Sequence, residues 1–455
     1  MKHKILHTVF FLSSFFCHAQ YNWQALPTAP ISWRFDDIFF LNPRMGWAVN
    51  GDYNYLTPTQ FGRIFRTLDG GNSWQLLKDS SVTFYRSVGF ADSLTGWVGN
   101  LADTTKYNGI PVTTDTIPLY QTNDGGHTWQ PANLPHPHPA GICGISVVTD
   151  SIVYAYGRYY GPAGYVKTVN KGATWTYTDM SAYASGLIDG YFFNKDTGFI
   201  TGVSLNNTAL ILSTHDGGTT WQIAYQSAGQ AQEYLWKLSF PSRDTGYASI
   251  QSFGGNTNFL KTTDGGISWQ KKVFTTNFTY ELQGIGFINN TTGWIGGDQY
   301  APTYKTIDGG NTWHIDSSFG IQEPPYNNIY ITGFSINRFR RFGDTLMYAC
   351  GNTIYKLQAP STGIKEVNKK LSTLSNYPNP FKAQTNIAYY LSEAADNIIL
   401  DVYDILGQKV YSNNLGPQPI GKHDFVFNTV LQPGVYFYSL QTNNFRQTQK
   451  MLIND

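Results

Sequence analysis

One eight-residue pattern, Thr-x-Asp-Gly-Gly-x-Ser/Thr-Trp, constrains the fold of this chain more than any other feature. It is read at Thr67–Trp74, Thr122–Trp129, Thr214–Trp221, Thr262–Trp269 and Thr306–Trp313. A degenerate copy at Thr168–Trp175 has Asn170 in place of the Asp and Lys171 in place of the first Gly. The six tryptophans are 55, 46, 46, 48 and 44 residues apart, the pitch of a repeat architecture. Its chemistry is that of a turn. Asp69, Asp124, Asp216, Asp264 and Asp308, and Asn170 in the degenerate copy, can accept hydrogen bonds from the backbone just downstream. The Gly-Gly pair admits positive φ, which other residues resist. The tryptophan is expected between neighbouring sheets.

A second motif precedes each box: an apolar strand, a short turn, then Gly followed by an aromatic residue. Phe40–Gly46, Phe90–Gly96, Phe192–Gly198, Phe240–Gly246 and Phe287–Gly293 share a six-residue offset, and Val147 to Gly157 is a looser version. Each unit reads as four strands, here called A to D, with A around the Phe and D starting at the box Trp. A seventh unit runs from Phe334 to Gly351 and continues as Thr353–Leu357 with no box after it. Trp23-Gln24-Ala25-Leu26 matches Trp74-Gln75-Leu76-Leu77 and is expected to supply the missing strand, hiding two sheet edges. The fold class is all-β: a seven-bladed β-propeller over residues 20–358, closed by an N-terminal strand, then a small Ig-like β-sandwich. Aromatic residues at 16%, charged residues at 13% and 45 glycines suit many tight turns between strands and exclude a disordered or coiled-coil chain.

Residues 1–19 carry Lys2 and Lys4, an apolar run from Ile5 to Phe16, and Ala19 before the expected cleavage, the pattern of a signal peptide. Phe16 is bulky where lipidation at Cys17 would want a small residue. No segment is long and apolar enough to span a membrane. The formal net charge is +1, and loss of Lys2 and Lys4 with the leader makes it −1; neither value is a footprint for nucleic acid. Cys143 and Cys350 remain after the leader, with no metal spacing. They are expected as buried thiols, with a disulfide as the minor alternative.

After a polar linker at 359–374 comes Asn376-Tyr377-Pro378-Asn379-Pro380-Phe381. Alternating strands follow, with turn signals at Leu406-Gly407 and Gln432-Pro433-Gly434. Together with Val402–Val410, Leu431–Tyr436 and the terminal Lys450-Met451-Leu452-Ile453, residues 375–455 resemble a type A sorting domain of the type IX secretion system of Bacteroidota. Tyr377, Pro378, Asn379, Pro380, Phe381, Gly407, Pro433 and Gly434 carry the motif. The resemblance implies the type IX machinery as partner, passage across the outer membrane, removal of the domain, and often anchoring at the cell surface. The repeats over residues 30–358 resemble Asp-box propellers, most closely those related to the plant and cyanobacterial photosystem II stability/assembly factor. That likeness implies a fold and not a ligand.

Chemistry is sparse. Asp boxes also occur in sialidases, which need an arginine triad and a Tyr/Glu nucleophile pair. Here Arg63-Ile64 is followed by Phe65, and Glu233, Glu281 and Glu323 are the only propeller glutamates. Paired carboxylates at Glu233 and Glu281 would serve glycoside hydrolysis, which is the alternative function. The box aspartates lie in separate blades and cannot converge on one ion. His136-Pro137-His138-Pro139 lacks a third metal ligand. No metal or cofactor is expected. The D–A and B–C loops share the face opposite the boxes. It gathers the insertions Asn50–Gly62 and Asn100–Pro118 and the residues that lead into inner strands: Trp33, Arg34, Phe84, Tyr85, Arg86, His136, His138, Tyr183, Tyr234, Trp236, Lys237, Tyr280 and Glu281. Aromatics beside Arg are typical of recognition surfaces. The expectation is a secreted or surface-displayed, monomeric, non-enzymatic propeller that binds an extracellular protein or glycan.

Overall fold

The computed structural model describes residues 21–454 apart from 33, 55–58, 103, 105, 108–109, 112, 229–231, 254–255, 276–281, 298–301, 320, 323–330, 333–335, 344, 359–370, 392–393, 406, 429–430 and 443–445. The chain divides into two compact units, Gln20–Ala359 and Pro360–Asp455.

In the first unit, seven four-stranded antiparallel sheets follow one another. Their innermost strands are Phe35–Phe40, Tyr85–Phe90, Gly144–Val147, Ala184–Phe192, Glu233–Ser239, Leu282–Phe287 and Arg338–Phe342. Each touches the next, and the last touches the first, so the sheets close into a ring. The seventh sheet is completed by Asn22–Ala25, which pairs antiparallel with Ile354–Gln358 (Asn22 opposite Gln358, Trp23 opposite Leu357). Trp23 takes the position a box tryptophan holds in the other blades. It is buried against Trp294 (5.3 Å), Phe319 (5.2 Å) and Phe339 (5.6 Å). The inner strand of this blade begins at Arg338; Phe334, the expected anchor, lies outside the described residues.

The six-residue Phe–Gly offset has a packing cause. Phe40 and Gly46 face each other across the A–B hairpin, and a Cβ on Gly46 would stand 2.7 Å from the Phe40 ring. Gly96, Gly198, Gly246 and Gly293 bear the same relation to Phe90, Phe192, Phe240 and Phe287. The aromatic after the glycine, or the strand-B aromatic at the corresponding place in blades three and seven, then stacks on the Phe of the next blade. Trp47 lies 3.5 Å from Phe90, Tyr154 4.4 Å from Phe192, Tyr247 3.5 Å from Phe287, and Tyr348 3.8 Å from Phe40. The box tryptophan closes on the same ring edge-on, as Trp129 does on Phe90 and Trp269 on Phe240. One motif thus builds the blade and the other joins it to its neighbour, and the large buried aromatic area supplies the main driving force.

The box turns are held locally. In blade one, Asp69 Oδ1 accepts from the Ser73 N–H (2.8 Å) and Oδ2 from the Ser73 hydroxyl (2.6 Å), while Thr67 Oγ1 accepts from the Gly71 N–H (2.8 Å). Asn170 keeps the backbone bond, its Oδ1 accepting from the Thr174 N–H (2.9 Å), and reverses the other, its Nδ2 donating to Thr174 Oγ1 (2.9 Å). Lys171, in the position of the first glycine, is forced to φ 56°.

The second unit is a β-sandwich. One sheet holds Leu371–Tyr377, Gln384–Leu391 and Gly421–Asn428; the other holds Lys409–Gln418, Ala395–Tyr403, Gly434–Gln441 and Arg446–Ile453. Its first strand begins inside the stretch read as linker, because Leu371 and Leu374 pair with the edge of Gln384–Leu391 and Leu374 enters the core. Cys143 and Cys350 are buried free thiols.

Candidate ligand-binding face

The ring has two chemically different ends. At one, each box turn bonds to the A–B turn of its own blade: the Gly70 N–H donates to Arg44 O (2.7 Å), Gly125 to Leu94 (2.8 Å) and Gly217 to Asp196 (2.8 Å). At the other, B–C and D–A loops meet: the Leu101 N–H donates to Phe84 O (2.9 Å), Phe253 to Gln232 (3.1 Å) and Leu187 to Arg158 (3.2 Å). The blade-one insertion is a paired extension of strands B and C as far as Asn54 opposite Thr59, and the blade-two insertion carries a small hairpin, Lys106–Tyr107 with Ile110–Pro111.

Near this loop face, five inner strands share an irregularity. The register slips between Phe35 and Asp37, Tyr85 and Ser87, Leu187 and Asp189, Leu235 and Leu238, and Leu282 and Gly284. The skipped residues include Asp36, Arg86, Ile188, Trp236 and Gln283, each four positions before the recurrent Phe. A bulge of this kind re-aims a side chain. The result is two layers of side chains across the axis. In the upper, Arg34 pairs with Asp36 (2.6 Å) and donates to Gln283 Oε1 (2.6 Å), Arg86 also pairs with Asp36, and the Arg86 guanidinium lies 5.2 Å from the Trp236 ring. In the lower, Arg338 pairs with Asp37 (2.9 Å) and with Asp189 (2.5 Å), and Lys237 lies 3.6 Å from Asp189. Arg338 and Asp189 belong to blades seven and four, Arg86 and Trp236 to blades two and five. Blades so far apart in a ring of seven meet only across its middle, so the axis is filled by ionic and aromatic contacts.

The electrostatics follow from burial. Desolvation pushes the Asp189 carboxyl up, but Arg338 and Lys237 overcome it and hold it at about 2. Desolvation, with Arg338 alongside, lowers the Lys237 ammonium to about 8 against the pull of Asp189 and Asp37. Breaking such a network leaves an uncompensated buried charge, so these groups serve the fold first.

The placement of the expected ligand residues is therefore mixed. Tyr85 is 0% exposed, packed between blades one and two, and a ligand on the loop face does not reach it. Arg86, Trp236 and Lys237 are 9%, 4% and 7% exposed because the bulges turn them inward. Arg34 belongs to the same tie. Trp33, Tyr280 and Glu281 lie outside the described residues. Tyr234 stays at the surface. It forms an aromatic basin with Trp236 (6.2 Å), Phe253 (5.3 Å) and Tyr159 (5.9 Å), and Tyr159 packs on Trp236 (5.6 Å) and Tyr160 (4.7 Å). Phe253 is 48% and Tyr160 37% exposed, and the Arg158 guanidinium lies 4.4 Å from the Tyr160 ring. Arg158, Tyr159, Tyr160 and Phe253 were not anticipated: they sit in the short B–C loops of blades three and five, whereas the expected residues came from the long B–C insertions of blades one and two and the approaches to inner strands. His136 and His138 stack 5.0 Å apart, and among the described residues no group of three metal-ligating side chains forms. Glu233 is engaged by Lys271 and Ser252.

In the second unit, Asn379 ties the motif to the last strand. Its Oδ1 accepts from the Leu452 N–H (2.9 Å) and its Nδ2 donates to Lys450 O (3.1 Å). Phe381 is buried and its N–H donates to Leu452 O (3.0 Å), while Thr385 donates to Pro378 O (2.7 Å). Tyr377 is exposed. Gly407 turns at φ 80°, and Pro433 precedes the strand Gly434–Gln441, in which Tyr436 bonds back to Gln432 O (2.9 Å).

Residues 375–454 match the family of secretion system C-terminal sorting domains. No curated protein matches the chain by sequence. Among solved structures, the chain is similar to YCF48 bound to a D1 peptide (16% identity, TM-score 0.52, covering 74% of this chain and 94% of that one). It is also similar to YCF48 from Cyanidioschyzon merolae (14% identity, TM-score 0.52, 75% and 99%). At such identities the likeness concerns the fold alone. No helix among the described residues is long and apolar enough to cross a membrane. The sorting tail implies handling by the type IX machinery and a secreted or outer-membrane-surface destination: the chain is a β-propeller of YCF48-like fold carrying a C-terminal sorting domain of the type IX secretion system.

Proposed function

We propose that the propeller is a non-enzymatic binding module that works outside the cell, released or anchored at the surface, and engages a protein or glycan through its loop face. The observation that carries this reading is the basin of Tyr159, Tyr160, Tyr234, Trp236 and Phe253 on that face, in which the Tyr160 and Phe253 rings are open to solvent, Arg158 lies against Tyr160 and Arg86 against Trp236. Exposed aromatics grouped beside guanidinium groups are the composition of binding hot spots. A propeller of the same fold has been solved with a peptide bound, so a polypeptide is one admissible class of partner.

The test is capture from the native cell surface with the mature chain, compared with Tyr160→Ala/Phe253→Ala. We expect the variant to lose the partner and keep its melting temperature, and a panel of glycans to be retained without release of reducing sugar. Undiminished capture by the variant would move the site elsewhere, and sugar release would make the protein a glycoside hydrolase. Removing residues 375–455 should abolish appearance in the medium.

A further inference from the structure

The propeller holds one guanidinium whose surroundings are poorly matched to its charge. Arg158 follows strand B of blade three. Its hydrogen bonds go to neutral carbonyl oxygens alone, Ala102 O at 3.4 Å and Gly161 O at 3.3 Å, both long, and its buried Nε has no partner among the described residues. The strongly buried cations of this face, Arg86, Lys237 and Arg338, each have a carboxylate. A partly buried guanidinium without one gains most from a charge-assisted bond brought by a ligand. It lies beside the aromatic basin, 4.4 Å from the Tyr160 ring. The Tyr234 hydroxyl makes no hydrogen bond among the described residues, while its ring is held edge-on by Trp236 and Phe253.

From this juxtaposition we propose that the basin is a subsite for an acidic polysaccharide, one uronate-type ring lying on the aromatics with its carboxylate at Arg158. The inference rests on the binding reading above and narrows it. A pyranose ring presents a C–H face that packs on an aromatic ring and hydroxyls that meet a tyrosine O–H. A carboxylate on the same ring accepts the N–H donors of the guanidinium. Size favours this class over a protein. Six side chains match one or two sugar rings, whereas a stable protein interface takes about 20–30 residues a side. The near-neutral charge of the whole chain supplies no broad attraction for polyanions, so the carboxylate is read locally, at one arginine.

The test is affinity electrophoresis of the mature full chain through gels containing polygalacturonate, alginate, a neutral β-glucan or poly-glutamate. The expected result is retardation by at least one uronate polymer and by neither control. Arg158→Met should weaken it about ten-fold or more, Arg158→Lys less, and Phe253→Ala comparably to Arg158→Met, with all three melting like the parent. Retardation by poly-glutamate as strong as by uronate would reassign the site to acidic peptides and overturn the proposal. So would retardation that Arg158→Met leaves unchanged, or none in any uronate gel. If cell-surface capture still depends on Tyr160 and Phe253 while the uronate gels are silent, the ligand class fails and the binding face stands. If that capture is also indifferent to them, both fail.

Discussion

On the box face, six turns repeat the same bonds between residues no more than four positions apart, and even the degenerate copy at Asn170 keeps them. On the loop face, the equivalent bulge position holds Asp36, Arg86, Ile188, Trp236 and Gln283 in successive bulged blades, and no two agree. The charges there find partners 149 or 303 residues away. Repetition marks the residues that every blade needs in order to fold against the next. Divergence marks the end where blades have become individual. This contrast places both the tie across the axis and the aromatic basin at the same end of the ring.

Perturbing the closure should have the largest effect. Deleting residues 20–28 exposes the edge of Ile354–Gln358 and empties the Trp23 site. The loss should exceed the ~3–5 kcal/mol of a single core Trp→Ala change, visible as a steep fall in melting temperature. Next comes the axis: Arg338→Ala strands Asp37 and Asp189 in the interior and should cost about 3–5 kcal/mol by urea unfolding. A cost below about 1 kcal/mol would mean the ties across the ring do not hold it.

Acid sharpens the comparison further. Asp69, Asp216 and Asp264 are held near 2 chiefly by hydrogen bonds from the box Ser or Thr. Asp308 reaches the same value against desolvation, and Asp189 through Arg338 and Lys237. Their ordinary value is 3.8, so between about 4 and 2 the unfolded chain binds more protons. Propeller stability should be full above pH 4 and fall steadily as pH drops towards 2. Lys237 acts in the other direction: lowered to about 8 from 10.5, it makes stability rise with pH above 8, and Lys237→Met should flatten that rise in pH-dependent melting curves. The smallest effect is on the degenerate box. Lys171→Gly relieves the positive φ, worth about 1 kcal/mol, at the loss of an exposed ion pair with Asp92 worth less. A slight gain in melting temperature is expected.

The blades, their closure and the sorting motif were legible because each is written in local, repeated residues. The Phe–Gly offset is a contact across a hairpin, and the match of Trp23 to Trp74 is a position in a repeat. In the seventh unit, read from Phe334 to Gly351, the inner strand is Arg338–Phe342, Arg-Phe-Arg-Arg-Phe. Arg34, Arg86 and Lys237 were placed on the right face and at the wrong depth. A bulge is a mismatch between two strands, and neither strand alone reveals it. Tyr159, Tyr160 and Phe253 become neighbours of Tyr234 only once blades three and five curve towards each other.

The division of labour between the two faces is tested most directly by capture of the native surface partner with two variants of the mature chain. The account predicts that Tyr160→Ala/Phe253→Ala loses the partner at unchanged melting temperature, and that Asp264→Ala, in a box, melts lower and still captures it. Capture that survives the first change, or fails with the second in a chain that remains folded, would contradict it.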